Sequence, residues 1–279
     1  MTTKPEHSFL LASGRAVNWI LDGFICLACA ALVSYALYSL WDNAQVYAQV
    51  DNLQASLMSL KPVGEETVDE TGTAYESGAE GGTELFEKLT AINPDICAWL
   101  TVDGTQIDLP VLQGEDNYVY LNRDAYGEYA TSGSLFLDYR CDDSFAAQYA
   151  LIYGHHMKNG KMFGDLDLFY DASFFEANGT GTLYTRTGSY GFQVAAILTV
   201  KATDPVIYAP VEYEHNGKAV VDYAAENAEL SRDELLKAYY AAPERYKVLC
   251  LTTCSSRFRD ARTVVVALVL TNSAKSIES

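Results

Sequence analysis

An uncharged apolar stretch near the N-terminus, Gly23–Trp41, limits what this chain can fold into more than any other feature. It reads GFICLACAALVSYALYSLW, and its length is close to the ~20 residues that a helix needs to cross a hydrocarbon core. A cleaved signal peptide is the competing interpretation, but its apolar region would be shorter and would end in an A-x-A-like site. The C-terminal end of the stretch, from Tyr38 to Trp41, instead has the composition of an interfacial aromatic belt. We therefore expect an uncleaved transmembrane helix.

The charges on either side of this span predict its orientation. Two basic residues, Lys4 and Arg15, precede the span and are balanced by two acidic residues, so the whole formal charge of −18 lies beyond Trp41. The positive-inside rule places residues 1–22 in the cytoplasm and the acidic body outside the membrane. Because an acidic surface repels phosphates, we expect no nucleic-acid partner.

Beyond the span, composition divides the chain. Residues 42–61 carry apolar side chains at helical spacing, which predicts a juxtamembrane amphipathic helix. Residues 62–83 contain six acidic residues and five glycines but no basic residue, which is typical of a flexible linker. A folded body is expected at 84–272, followed by a tail at 273–279.

Strand signals dominate the body. The first two predicted strands flank Asp103-Gly104, a strong hairpin-turn dipeptide. The predicted strands are Cys97–Val102, Gln106–Leu112, Ser134–Asp138, Tyr149–Tyr153, Leu183–Thr187, Phe192–Lys201, Tyr246–Thr253 and Thr263–Thr271. Short helices are predicted at Asp116–Arg123, Met162–Tyr170 and Ser231–Tyr240, the last with a capping box of Ser231 and Glu234. Many strands with few peripheral helices predict a mainly-β fold, a closed or nearly closed barrel.

A cysteine stands at the end of one of these strands, next to a polar stretch. Lys247–Thr253 reads KVLCLTT, Cys254 follows it, and the loop at 255–261 comes next. The end of a buried strand is a rigid place from which to present a nucleophile. A buried core thiol is the alternative, and we keep that interpretation for Cys250.

An arginine opens the following strand. Arg262 precedes the run TVVVALVL, so the loop after Cys254 returns the chain as a hairpin. Antiparallel neighbours lie ~5 Å apart, which would bring the guanidinium beside the sulfur. A cation there would lower the thiol pKa and would stabilise the oxyanion of a tetrahedral intermediate. Arg257 and Arg259 in the same loop are expected to be solvated.

Two histidines follow another apolar strand. The segment Leu151–Phe163 reads LIYGHHMKNGKMF, with His155 and His156 directly after Gly154. Because glycine permits a sharp turn, we expect His155 to point back across the mouth of the barrel. A metal site with the cysteines is the alternative, but the ligand spacings of such sites are absent. We expect no metal and no cofactor.

Together these three segments resemble the sortases of Gram-positive bacteria, in particular class B. The family's histidine motif matches Tyr153–Gly160 with Met162–Asp165 behind it, its cysteine motif matches Leu251–Cys254, and its arginine matches Arg262. Three motifs in the family's order at compatible spacings make a specific match. The resemblance covers approximately residues 84–271, and the single N-terminal anchor also fits.

The resemblance implies a closed eight-stranded sortase-type β-barrel with short peripheral helices, and a cysteine transpeptidase activity. Cys254 would attack the carbonyl carbon of a threonine in a C-terminal sorting signal and form a thioester acyl-enzyme. His155, rather than His156, matches the position that protonates the leaving amine and then deprotonates the incoming amine. Arg262 would hold the substrate carbonyl or the oxyanion.

The resemblance also implies partners. Surface proteins with a C-terminal sorting signal would be the substrates, and an amine of a peptidoglycan precursor or of a pilin would be the acceptor. Thr252 and Ser255 flank the nucleophile and are expected to line the substrate groove, while Ala202–Tyr213 corresponds to the specificity-determining loop. Ser256 stands where some class B enzymes have an acidic residue, so no carboxylate is assigned to a triad. The enzyme would act outside the plasma membrane, held by a single span.

Other functions stay open at this point. A papain-like protease places its cysteine before its histidine, the reverse of the order here. L,D-transpeptidases hold their histidine and cysteine motifs much closer together. A non-enzymatic surface-adhesion barrel is a hypothesis of a different class, since a fold does not imply a function. Cys97 and Cys141 are a candidate disulfide pair, whereas Cys250 and Cys254 would lie ~13 Å apart in one strand and cannot bridge.

Overall fold

The fold is taken from a computed structural model that describes residues 6–61, 82–210, 217–254 and 260–271. Residues 6–18, residues 82–85 and Cys254 are described by their backbones alone. The predicted linker, apart from its last two residues, and the predicted tail lie outside these ranges. The chain divides into two compact units, residues 1–49 and residues 50–279.

Helix α1 spans Glu6–Met58 and contains the predicted membrane span. The large apolar side chains between Trp19 and Trp41 are exposed all around the helix, which is how a helix in contact with lipid would present them. The part of α1 from Trp19 to Met58 reaches a mean hydropathy of 2.1 and is a candidate membrane span by length and composition. The predicted juxtamembrane helix is the C-terminal part of α1 rather than a separate element.

The last turns of α1 pack on the body through the apolar stripe seen in the sequence. Leu57 is fully buried in a core cluster with Phe86 and Leu89 of helix α2 (Gly82–Ile92) and with Trp99. Burial of this stripe explains why the helix keeps its amphipathic pattern beyond the membrane span.

The body is built on one sheet, with nine strands among the described residues. They are β1 (Ile96–Val102), β2 (Asp108–Leu112), β3 (Leu135–Leu137), β4 (Tyr149–Tyr153), β5 (Thr180–Thr185), β6 (Gly188–Lys201), β7 (Leu230–Ser231), β8 (Tyr246–Cys254) and β9 (Ala261–Leu270). Their order is β5-β1-β2-β3-β4-β8-β9-β6-β7, and an added β5–β6 pairing closes eight of them into a barrel. The two-residue β7 hangs on β6 outside the ring. The predicted closed eight-stranded β-barrel is thereby confirmed.

One parallel and one antiparallel pairing set the geometry of one barrel end. β4 runs parallel to β8, and β8 runs antiparallel to β9. β9 reads ARTVVVALVL, and almost every residue of it is buried, because helices cover one face and the barrel interior covers the other. Such a run of β-branched residues favours a strand that is buried on both faces. The ends of β4 and β8 and the start of β9 therefore lie side by side.

The helices differ from the prediction in type and position. The segment Asp116–Arg123 contains only a short 3-10 helix at Val119–Leu121, and the helix expected from Met162 is a 3-10 helix at Gly164–Tyr170. Asp116 accepts from the backbone of Tyr118 and Val119, and this turn replaces the start of a regular helix. Helices α2, α3 (Ala172–Ala177) and α4 (Lys218–Asn227) were not predicted.

The predicted capping box before the last helix is wrong. Helix α5 spans Asp233–Ala241 and its N-cap is Arg232, which makes no side-chain cap. Ser231 is drawn into β7 by its pairing with Ala196 of β6, and its hydroxyl donates to Asp233 instead. A tertiary strand pairing therefore overrides a local helix-start signal.

Three cysteines of the body, Cys97, Cys141 and Cys250, are free thiols. Cys97 is buried and Cys141 is partly buried, and no disulfide joins them. Burial raises the pKa of the Cys141 thiol to about 12 and raises that of Cys97 further. Both are inert structural thiols at neutral pH.

Candidate active site

The register of three neighbouring strands fixes the positions of three residues that the sequence singled out. Cys254 is the residue directly opposite Arg262 in the β8–β9 ladder. Tyr153 pairs with Thr252 across β4 and β8, and the Gly154 N–H donates to the Thr252 carbonyl at 3.1 Å. His155 thus comes two residues after the last β4 pair, and Cys254 comes two residues after its partner. Since adjacent strands lie ~4.8 Å apart, the backbones of His155, Cys254 and Arg262 meet at one barrel end.

The histidine is carried by a closed loop, residues 155–164, which we call the His loop. The Phe163 N–H donates to the His155 carbonyl at 2.9 Å, and His156 forms an isolated β-bridge with Met162. Gly160 adopts a φ of +84°, a left-handed conformation that favours glycine. These bonds hold the loop as a compact ring against the barrel.

Gly154 is required for a different reason from the one expected. Its φ lies outside the left-handed region, so freedom to turn is not what the position demands. A Cβ on Gly154 would instead lie 2.5 Å from the Phe163 ring and 2.6 Å from Leu135 Cδ2. The glycine permits close packing of the Phe163 side chain beneath the start of the His loop.

The two histidines have opposite electrostatic surroundings. His155 is exposed at its surface, yet partial burial of the ring and the nearby His156 lower its pKa. His156 Nε2 lies 2.8 Å from Asp167 Oδ2, and this hydrogen bond raises the pKa of His156 against the opposing effect of burial. As the pH falls, a proton binds His156 before His155.

Arg262 is half-buried at the start of β9. Its Nη1 donates to the Ala261 carbonyl at 3.0 Å, and the residue pairs with Val200 of β6 on the side away from Cys254. Its positive charge reaches Tyr208, where it opposes the rise in the tyrosine pKa that burial causes. The Arg262 charge is therefore close enough to Tyr208 to act on its hydroxyl.

An aromatic wall adjoins this group. The rings of Phe136 and Tyr153 stack with centroids 5.1 Å apart, and those of Tyr153 and Tyr208 stack at 6.2 Å. The Tyr208 and Thr252 hydroxyls are hydrogen-bonded at 2.9 Å, and Thr252 is only 1% exposed. The described part of the predicted specificity loop, residues 202–210, thus contacts the strand that ends in Cys254.

A buried carboxylate fixes this wall from behind. Asp138 is fully buried and accepts two bonds from Arg140, at 2.8 and 2.7 Å, and one from the Tyr153 hydroxyl at 3.0 Å. Arg140 also donates to the Tyr208 carbonyl at 3.2 Å. Burial alone would raise the pKa of Asp138, but the bonds from Arg140 and Asn117 outweigh it and hold the pKa below its usual range. Asp138 is ionised at neutral pH and orients both tyrosines.

The structure describes the predicted site residues to different extents. His155, Thr252 and Arg262 have described side chains at the same barrel end, Cys254 is described by its backbone alone, and Ser255 lies outside the described residues. The second cysteine of β8, Cys250, is fully buried with its pKa raised to about 12, in keeping with a core thiol.

Several residues at this end escaped the sequence reasoning. They are Tyr208, Asp138, Asp167 and Thr263. Asp138 is the last residue of a predicted strand and directly follows the observed β3, and a carboxylate at a strand end was an available signal. Tyr208 is brought in by a loop and Asp167 by a 3-10 helix, whose placement against the barrel no local pattern encodes, and Thr263 is the residue after Arg262 in β9.

Comparison with known proteins identifies the family and the fold. A family model of the Sortase domain matches residues 100–269. Sortase B of Staphylococcus aureus is 29% identical over 187 residues, which cover 66% of this chain and 74% of that protein.

Solved structures of class B sortases resemble this chain as well. A class B sortase of Streptococcus pyogenes, involved in pilus biogenesis, is 33% identical with a TM-score of 0.59, over 66% of this chain and 97% of that one. Sortase B of Clostridium perfringens is 31% identical with a TM-score of 0.57, over 66% of this chain and 99% of that one.

Proposed function

The chain belongs to the sortase family, in its class B, whose members are cysteine transpeptidases, and we propose that it joins surface proteins to an amine of the cell envelope. The substrate is a C-terminal sorting signal that is cut after a threonine. The observation that carries the proposal is the strand register that sets the ends of β4 and β8 beside the start of β9.

In the proposed reaction, Cys254 is the nucleophile. His155 takes the proton of the Cys254 thiol, the sulfur attacks the threonine carbonyl carbon, the peptide C–N bond breaks, and the leaving amine takes that proton from His155. The product is a thioester between Cys254 and the substrate. An incoming amine then gives a proton to His155 and attacks the thioester, the C–S bond breaks as the new amide bond forms, and the sulfur takes that proton back from His155.

The electrostatics of His155 and Arg262 support these roles. Burial and the neighbouring His156 lower the pKa of His155, so that the neutral imidazole, which can accept a proton from a thiol or an amine, dominates near neutral pH. Arg262 offers a half-buried cation opposite Cys254 in the ladder. A guanidinium there stabilises the oxyanion of each tetrahedral intermediate through its planar donors.

We assign Thr252 and Ser255 to the substrate groove. The Thr252 hydroxyl is bonded to Tyr208 and is almost wholly buried, so we propose that it acts by holding Tyr208 at the wall of the groove. The stacked rings of Tyr153 and Tyr208 are partly exposed and offer an apolar surface of the kind that an extended peptide covers, while the buried ring of Phe136 supports Tyr153 from the core.

The acceptor is proposed to be an amine of a peptidoglycan precursor. A pilin lysine is the second candidate, favoured by the likeness to the Streptococcus pyogenes class B sortase involved in pilus biogenesis. The two acceptors can be tested in separate assays, one with a short glycyl or alanyl amine and one with a lysine-bearing pilin peptide.

Helix α1 is proposed to hold the enzyme in the plasma membrane with the barrel outside and the N-terminus in the cytoplasm. Its exposed apolar surface and its length support a single span, and the basic residues before the span support this orientation. Protease treatment of intact cells should then remove the barrel and leave an N-terminal tag protected.

The proposal is tested with the full chain in detergent micelles, quenched peptides that represent diverse sorting signals, and the two amine acceptors. We expect cleavage of a subset of peptides and an amide product with one acceptor, and no product from Cys254→Ala. Absence of cleavage of every peptide by the wild-type chain, with the fold intact by circular dichroism, contradicts the proposed function.

A further inference from the structure

A second group of polar side chains lies directly behind the proposed catalytic residues. His156 follows His155 in the chain, Thr263 follows Arg262, and both contact the carboxylate of Asp167. His156 Nε2 lies 2.8 Å from Asp167 Oδ2, and the Thr263 hydroxyl donates to Asp167 Oδ1 at 2.9 Å. One carboxylate thus joins the neighbours of two proposed catalytic residues, one in the His loop and one in β9.

His156 and Thr263, which Asp167 contacts, belong to two separate segments. His156 is in the His loop, which continues β4, whereas Thr263 is the third residue of β9. β8 separates these two strands in the sheet, so they share no ladder of their own. Asp167 crosses this gap with its two carboxylate oxygens.

Asp167 is itself held firmly in place. It lies in the 3-10 helix Gly164–Tyr170, which begins where the His loop ends. At the other end of that helix, the Tyr170 hydroxyl is bonded to Thr199 Oγ1 at 2.7 Å and to the Leu198 carbonyl at 3.1 Å on β6. The carboxylate is therefore anchored to the barrel independently of the His loop.

The geometry excludes a direct role for Asp167 at the substrate-facing side of Arg262. Successive residues of a strand present their side chains to opposite faces, so Thr263 and Arg262 face opposite ways. Thr263 is fully buried, and its ladder partner on β8 is Thr253, the residue before Cys254. Asp167 thus lies behind the strands, on the face opposite to that of Arg262, and can act only through the backbone.

We propose that Asp167 is a positioning residue, a two-armed clamp that fixes the His155 segment against the start of β9 and so sets the distance between imidazole and guanidinium. This inference rests on the proposed function, because it concerns the geometry of that same reaction. Loss of either arm leaves the groove intact and loosens the alignment of the groups that act on the scissile carbonyl. Misplacement by about 1 Å is enough to lower a rate by about 100-fold.

The charge distribution supports the clamp. The hydrogen bond to Asp167 raises the pKa of His156, while burial and His156 lower that of His155. A proton in this region therefore strengthens the bond of His156 to Asp167 rather than charging His155.

The test uses the full chain in detergent micelles and four variants. Asp167→Ala removes both arms. Thr263→Val removes one arm at nearly constant volume, and Thr263→Ser restores the hydroxyl. Asp171→Ala is the matched control, because Asp171 caps α3 through the Phe174 N–H and contacts neither the His loop nor β9 in any bond described here. Its loss costs stability without touching the clamp.

Two readouts separate positioning from general destabilisation. The first needs no substrate: hydrogen exchange of the Phe163 amide, which bonds to the His155 carbonyl, reports whether the His loop is held. The second is transfer kinetics on a cleaved sorting-signal peptide. We expect Asp167→Ala and Thr263→Val to speed this exchange and to lower kcat by about 10- to 100-fold with KM within about twofold. Thr263→Ser and Asp171→Ala should behave as wild type in both readouts.

Three results would overturn the clamp. They are unchanged Phe163 exchange in Asp167→Ala, a raised KM with an unchanged kcat, and an equal loss of kcat in Asp171→Ala. If the wild-type chain transfers no peptide, the proposed function fails, while the exchange measurement still decides whether Asp167 holds the His loop.

Discussion

Cys254 and Arg262 are opposite residues in the last pair of the β8–β9 ladder, so a cysteine and a cation meet where the hairpin loop leaves the sheet. The pairing is fixed by the backbone bonds of two long, buried strands. Catalysis by a charge beside a sulfur therefore requires this register. A slip by one residue would turn every side chain of β9 to the other face.

Replacement of Arg262 by lysine tests whether catalysis needs the planar guanidinium group or only a positive charge. Arg262→Lys keeps the positive charge but loses the fixed donors, so we expect kcat to fall by about 100- to 1,000-fold with little change in thermal stability. The matched control is Arg186→Lys, since Arg186 donates to the carbonyls of Pro94 and Ile96 at the other side of the sheet. Equal activity of Arg262→Lys and wild type would show that charge alone suffices.

Gly154→Ala should damage the site by overpacking. The new methyl group would lie 2.5 Å from the Phe163 ring, which must move together with the start of the His loop. We expect a loss of about 1–3 kcal/mol in the free energy of unfolding, measured by denaturant titration, and a loss of transfer activity. Phe163→Leu makes room for the methyl group, so the double variant should lose less than the sum of the two single variants. Strict additivity would argue against this contact.

The C-terminal turns of α1 should contribute to the stability of the barrel. Leu57 is fully buried among Phe86, Leu89 and Trp99, so Leu57→Ala should lower the free energy of unfolding by about 2–5 kcal/mol. Met58, its neighbour, is 43% exposed, and Met58→Ala should change it by about 0.5 kcal/mol or less. Similar values for the two variants would mean that α1 does not pack on the body in solution.

The ion pair of His156 and Asp167 predicts a pH dependence of stability. Because the folded pKa of His156 is raised above its unfolded value, its contribution is present below that unfolded value, about 6.5, and is lost as the pH rises through the folded pKa. The difference in Tm between wild type and Asp167→Asn should therefore be larger at about pH 5.5 than at about pH 8.5. A difference that grows with pH would contradict the sign of this shift.

Local patterns in the sequence predicted the elements whose structure is decided locally. The apolar runs of β8 and β9, the turn at Asp103-Gly104 and the stripe of α1 each carry their own period. The motif residues His155, Cys254 and Arg262 could be proposed because each one follows or opens such a run.

The rest depends on contacts between distant segments. Ser231 looks like a helix cap until its pairing with β6 is known, and Gly154 looks like a turn residue until Phe163 is placed against it. Helix α2 was not predicted, because it begins at the end of an acidic, glycine-rich stretch that is typical of a linker. Asp167 gives no signal in its own segment, since its two partners are brought to it by the His loop and by β9.

The most direct test of the central claim is intact-mass and peptide-mapping mass spectrometry of the full chain during turnover of a cleaved sorting-signal peptide. We expect an adduct on Cys254 whose mass is that of the acyl part of the peptide, and its disappearance when an amine acceptor is added. An adduct on Cys141 or Cys250, or continued transfer by Cys254→Ala, would contradict the central claim.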